Sequence, residues 1–146
     1  MLTVPDLSAV DAALLALRPA VAAELPAAPT ATAHDFLHRT LRPLLKLQNP
    51  LLLLTVADFV REHHMAFAGK GAAEQERIVA DVLARNVKLR YTIIGLVTGL
   101  FTSNETSLYR RQRNEINRRL LELATRRVQD QVAAVAAAST AVTPAP

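Results

Sequence analysis

Residues 102–138 constrain the fold more than any other stretch, because charged and apolar residues recur there at one helical period. Between Arg110 and Arg127 lie seven arginines (110, 111, 113, 118, 119, 126 and 127) and two acids, Glu115 and Glu122, a net +5. The whole chain is +4, so everything else sums to −1. At about 100° per residue, Ile116, Leu120, Leu121, Leu123, Ala124, Val128, Val132 and Val135 fill one broad apolar sector, together with Tyr109. Thr102-Ser103-Asn104-Glu105 has the spacing of a capping box, so one long basic helix is expected from there to Ala138.

Such a helix buries its apolar sector most simply against other helices. The composition agrees: 51% of residues are apolar, only 4% are aromatic, and glycine occurs four times, which favours helix over sheet. A chain of 146 residues fits one domain. The absence of cysteine excludes disulfides and thiolate metal sites and fits a reducing compartment, so a cytoplasmic protein is expected. The first 17 residues contain Asp6 and Asp11 and no basic residue, unlike a signal peptide. The longest uncharged run outside the tails, Tyr91–Asn104, has 14 residues against the ~20 that a spanning helix needs, so no membrane span is expected.

Punctuation divides the remainder. A first helix opens near Pro5 or Asp6, is apolar at Leu7, Val10, Leu14 and Leu17, and is limited by Pro19. Residues 26–33 read as a Pro/Ala linker. Thr32 and Asp35 start a second helix carrying Leu37, Leu41, Leu44 and Leu45, bent at Pro43. Asn49-Pro50 reads as an N-cap followed by the first helical residue. The third helix should run to about Phe67, with Leu51–Leu54 deeply buried. Gly69-Lys70-Gly71 ends it and opens a fourth, which could run to Leu100 through Val79, Leu83, Val87, Ile93 and Val97. The expected fold is therefore all-α: an antiparallel bundle of four main helices plus a looser N-terminal helix, with the long basic helix at the C-terminal end. Residues 1–138 form one domain and 139–146 a disordered tail. The uncharged stretch Tyr91–Phe101 should be helical and mostly inaccessible.

The arginines divide into two groups. Arg111, Arg118, Arg119 and Arg126 fall opposite the apolar sector, among Glu115 and Glu122. The pairs 111–115, 115–119, 118–122 and 122–126 are all i,i+4. Arg110, Arg113 and Arg127 lie at the edge of the apolar sector, where the alternatives are stems snorkelling along the core and contact with another surface. These three arginines, with Tyr109, are the interface candidates. Gly95 and Gly99 join them as a small-xxx-small pair that permits close helix approach, within the chain or between copies.

The leading expectation is a non-enzymatic helical interaction or assembly module that self-associates or takes a protein partner. The alternative is nucleic-acid binding through the Arg-rich helix 103–138, in line with a sequence pI near 10.1. The modest net charge, the interleaved glutamates and the single nearby aromatic weigh against it. A third reading is a metal held by histidines. A hairpin hinged near Asn49 would set His38 opposite Val60 and His34 opposite His64, making His34, His38 and His63 weak candidates. Asp58 and Glu62 project away from His63, and no His-Glu-x-x-His spacing occurs. Gly69-Lys70-Gly71 lacks the spacing of a phosphate loop, and no Ser, His and Asp set can be assembled. No catalytic residue and no cofactor are expected.

Overall fold

The structure, a computed structural model, describes residues 5–19 and 32–141, and all regular structure among them is helical. The expected linker falls mostly on residues outside this range. α1 (Ser8–Ala16) is followed by α2 (Ala33–Phe36), a π-helical turn (Leu37–Leu41), α3 (Arg42–Leu47) and α4 (Asn49–Glu62). Then come α5 (Ala72–Arg85), α6 (Val87–Thr98), α7 (Ser103–Arg111), α8 (Arg113–Gln129) and α9 (Val132–Thr140). Among the described residues, no helix is long and apolar enough to cross a membrane.

Several boundaries arise as the sequence implies. The Thr32 hydroxyl accepts from the Asp35 amide at 3.1 Å, starting α2. The capping box at α7 is complete: the Glu105 amide donates to the Thr102 hydroxyl, and the Thr102 amide donates to the Glu105 carboxylate at 2.8 Å. The bend at Pro43 takes the form of the π-helical turn just before it. Proline offers no amide hydrogen and crowds the carbonyl four residues back, and a locally widened helix relieves both.

Other boundaries differ. Asn49 does not cap α4. Its side-chain amide donates to Gln131 Oε1 at 2.9 Å, and its oxygen accepts from Gln131 Nε2 at 2.8 Å, so a tertiary contact outcompetes the local one. α4 stops at Glu62 rather than near Phe67. Its end is a Schellman motif: the Met65 amide bonds Val60 O, the His64 amide bonds Arg61 O, and His64 sits at φ 51°. The fourth helix is cut at Asn86, whose side chain accepts from the Leu89 amide at 2.9 Å and caps α6. The basic stretch is helical but broken twice, at Gln112 and Gln131, where φ reaches −130°. No proline or glycine marks either break; at the first, the Tyr109 hydroxyl donates to Asn117 Oδ1 at 2.6 Å across the bend. At the far end, Ser139 and Thr140 continue α9 rather than beginning a tail.

The core forms around α8. Ile116, Leu120, Ala124 and Val128 are fully buried, and α5, α6 and α4 pack against this helix. α9 packs along α4 through Val132 and Val135. The apolar sector of the basic stretch is thus the centre of the molecule, with only Leu123 and Tyr109 half-buried.

Two expected burials fail. Of Leu51–Leu54, Leu52 alone is buried, and Leu51 and Leu54 are exposed. In Tyr91–Phe101, helix ends at Thr98 and only Ile93, Ile94, Val97 and Phe101 are buried. An uncharged helix has a solvent side whenever neighbours cover only one face, and Tyr91, Thr92 and Gly95 occupy it. A Cβ placed on Gly95 meets nothing within 4 Å, and one on Gly99 meets only the Gly95 carbonyl, at 3.1 Å, so the glycine pair seats no neighbouring helix of the same chain.

Two substitutions follow. Gly95→Ala should stabilise the fold by about 0.5–1 kcal/mol, because the site is helical, exposed and open. His64→Gly should stabilise it by about 1 kcal/mol by removing a side chain from left-handed backbone. Urea unfolding of each variant checks both; a loss of stability in either would contradict its local account.

Candidate functional site

The surface features begin at α1. Nine residues make a helix too short to be stable alone in water, and α1 buries none of its side chains. Polar contacts hold it instead. Asp11 accepts from the Ser103 amide at 2.9 Å and from the Ser103 hydroxyl. Just past its end, Arg18 forks onto Glu105 through Nη1 at 2.6 Å and Nη2 at 2.5 Å. Thr40, from the π-helical turn, donates to the same carboxylate at 2.7 Å. Burial works to raise the Glu105 pKa, but the hydrogen bonds from Arg18, Thr40 and the Thr102 amide outweigh it and hold it below the ordinary glutamate value. Anchored this way, α1 turns Val10 and Leu17 to solvent at 53% and 57% exposure, with Leu7 and Leu15 also exposed.

A second exposed apolar surface lies between α5, α6 and α8. There a groove of about 650 Å³ has Leu83, Ile94 and Leu121 in its floor and Val87 and Tyr91 on its wall. Tyr91 is 65% exposed and Val87 61%. Arg90, Arg118, Glu122 and Arg126 stand along it. Arg118 is already engaged, with Glu115 and Glu122 each at 2.8 Å, which raises its pKa. Hydrogen bonds from Arg118 and Arg119 lower that of Glu115. These are two of the four expected i,i+4 pairs, 115–119 and 118–122, with an added i,i+3 pair 115–118. The pair 111–115 is lost because Gln112 breaks the helix between its members, and no 122–126 pair forms among the described residues.

A third feature is electrostatic. α3 and α8 enclose a cleft of about 460 Å³ lined by Arg42, Lys46, Arg126 and Arg127 against a single acid, Asp130. Arg42 and Lys46 escaped the sequence reading because they lie on a different helix from the arginine cluster, although their i,i+4 spacing was there to see. Arg127 reaches Asn49 Oδ1 at 3.4 Å and belongs to this cleft. The other candidates are scattered. Arg110 is exposed, and Arg113 is exposed over the Tyr109 ring at 5.6 Å. Tyr109 packs edge-on against Phe101, with centroids 5.5 Å apart, as part of the core margin.

The histidines do not converge. His34 and His38 meet edge-to-face at 4.6 Å, whereas His63 stacks on Phe59 at 3.9 Å. Among the described residues, no group of three or more His, Asp or Glu is arranged to hold a metal. His38 has a pKa lowered by burial and then by Arg42 and His34, and its Nδ1 is buried without a partner among the described residues. No family model, curated protein or solved structure matches the chain.

Glu105→Gln should cost about 2–3 kcal/mol at neutral pH, since it leaves the Arg18 guanidinium, 10% exposed, without its anion. The folded-state pKa is lowered, so this stability is present above the unfolded value of about 4.3 and is lost as pH falls through the folded value. Denaturant unfolding should therefore show the gap between wild type and variant narrowing below about pH 4. A gap unchanged by pH would contradict the carboxylate's role.

Proposed function

We propose that this chain is a non-enzymatic helical interaction module that self-associates. The observation that carries the reading is the exposed apolar side of α1. Eight large apolar residues are exposed among the described residues, and four of them (Leu7, Val10, Leu15 and Leu17) lie on or beside this one short helix. Val10 and Leu17 share one side of it and Leu15 stands on another, so one short helix presents several large apolar side chains to solvent, as surfaces covered in a working protein do. The polar anchors at Asp11 and Arg18 support the same reading, because they fix the helix without consuming its apolar side. Sedimentation at several concentrations tests it. The mass should rise with concentration and stay raised at high salt, because apolar burial is not screened. A one-chain mass at every concentration would overturn it.

A second reading, polyanion binding with nucleic acid as the ligand, is favoured by the α3/α8 cleft, where four cations face one acid. It carries a different signature: affinity should fall steeply with salt, with a log–log slope of about −0.9 per phosphate contacted. Arg42→Ala with Arg127→Ala should then flatten that slope, whereas Arg110→Ala with Arg111→Ala should not. Equal effects of both pairs would remove the cleft from this reading.

A further inference from the structure

Self-association leaves open which surfaces meet. On the two-surface geometry of α1 and the α5/α6/α8 groove, and resting on the self-association proposed above, we infer that α1 of one copy docks in that groove of a second copy, and reciprocally. Three observations point to this pairing.

The first is shape. Outside the groove and α1, the other large exposed apolar residues among the described ones are Leu51 and Leu54, which stand on the convex surface of α4. The groove is concave and has Val87 and Tyr91, each more than half exposed, on its wall, whereas the smaller α4/α5 groove is lined by apolar side chains that are all at least partly buried, and a helix is what a groove between helices receives. It follows α8 from Asn114 to Gln129, about 22 Å at 1.5 Å per residue, whereas Asp6 to Leu17 spans about 16 Å. The occupant fits within its length.

The second is the apolar pattern. Val10 and Leu17 are seven residues apart and so lie within ~20° of each other around α1, with Ala13 beside them. This ridge stands about 100° around the helix from Asp11. It is free to enter a groove while Asp11 stays on Ser103 and Arg18 on Glu105, so docking needs no rearrangement of either copy. Val87 and Tyr91 wait on the opposite side of such a contact, each more than half exposed.

The third is charge. Residues 1–17 carry Asp6 and Asp11 and no cation. The groove carries Arg90, Arg118 and Arg126 against Glu122, a net +2 from three cations and one acid. Asp6, just before α1, is exposed, and hydrogen bonds from Ser8 lower its pKa. Arg90 and Arg126 have no carboxylate partner among the described residues. An acidic helix is therefore admitted, and a basic one is repelled.

The test uses two full-length variants at exposed positions, so that folding is preserved; circular dichroism checks that it is. One carries Val10→Lys and Leu17→Lys, which the cationic groove repels. The other carries Val87→Asp and Tyr91→Glu, destroying the groove wall. Wild type should reach a two-chain mass, and each variant alone should remain at one-chain mass at the same concentration. Mixed in equal amounts, they should recover a two-chain species, because one of the two reciprocal contacts is intact and the other sets a lysine ridge against an acidic groove wall. If each variant alone is dissociated and the mixture does not recover, the pairing is wrong. If either variant alone associates like wild type, the interface lies elsewhere; the docking fails and self-association stands. If wild type is a single chain throughout, both fail.

Discussion

The carboxylate of Glu105 accepts from Arg18, Thr40 and the Thr102 amide, donors that come from three segments far apart in the chain. A charge at 15% side-chain exposure is costly unless each of its acceptor sites is used, and here they are. The arrangement ties the start of α7 to the π-helical turn and to the segment just past α1. It also decides the character of α1. A helix held by an ion pair and a serine contact needs no apolar burial to stay in place, so its leucines and valine remain at the surface. Were α1 packed by its apolar side, the chain would have lost the surface on which its proposed function rests.

What was legible in the sequence is what depends on period and local chemistry. The apolar sector running from Ile116 to Val135 became the core helix and its continuation because a stripe of that breadth has only one way to escape water. The N-cap at Thr32 and the capping box at Thr102 formed because their partners are three residues away. What was illegible depends on contacts made across the fold. Asn49 reads as an N-cap and instead pairs with Gln131, 82 residues on. The break at Gln112 carries no helix-breaking residue and accompanies a tyrosine–asparagine bond across the bend. His64 takes a position that glycine usually fills, so the sequence carries no glycine signal for the end of α4. Leu51, Leu54 and Tyr91 look like core by composition and are exposed, because periodicity tells which side of a helix is apolar but not how many neighbours arrive to cover it.

The candidate site shows the same division. Reading one helix at a time separates arginines that can pair with Glu115 and Glu122 from those that cannot, and the 115–118–119–122 network bears that out for its centre. It says nothing about what lies opposite. On its own helix Arg127 lies at the edge of the apolar sector. Its meaning comes from Arg42 and Lys46, which α3 brings to the same cleft. Arg126 has the spacing to pair with Glu122 but borders both the apolar groove and the cationic cleft.

The two exposed apolar surfaces raise a physical problem that charge and symmetry together can answer. A ridge that fits a groove elsewhere on the same molecule makes a head-to-tail contact, and such contacts run on into filaments unless they close. Each copy carries +4, so an open chain of copies accumulates like charge with every addition. A reciprocal pair satisfies both ridges and both grooves with two copies and stops there. The acidic start of the chain adds direction to this. It gives the helix that carries the ridge two acids and no cation, while the groove is net positive, so groove-to-groove encounters repel and the complementary encounter is favoured. Segregating a small negative charge from a large positive one within a short chain is thus a way to make sticky surfaces selective.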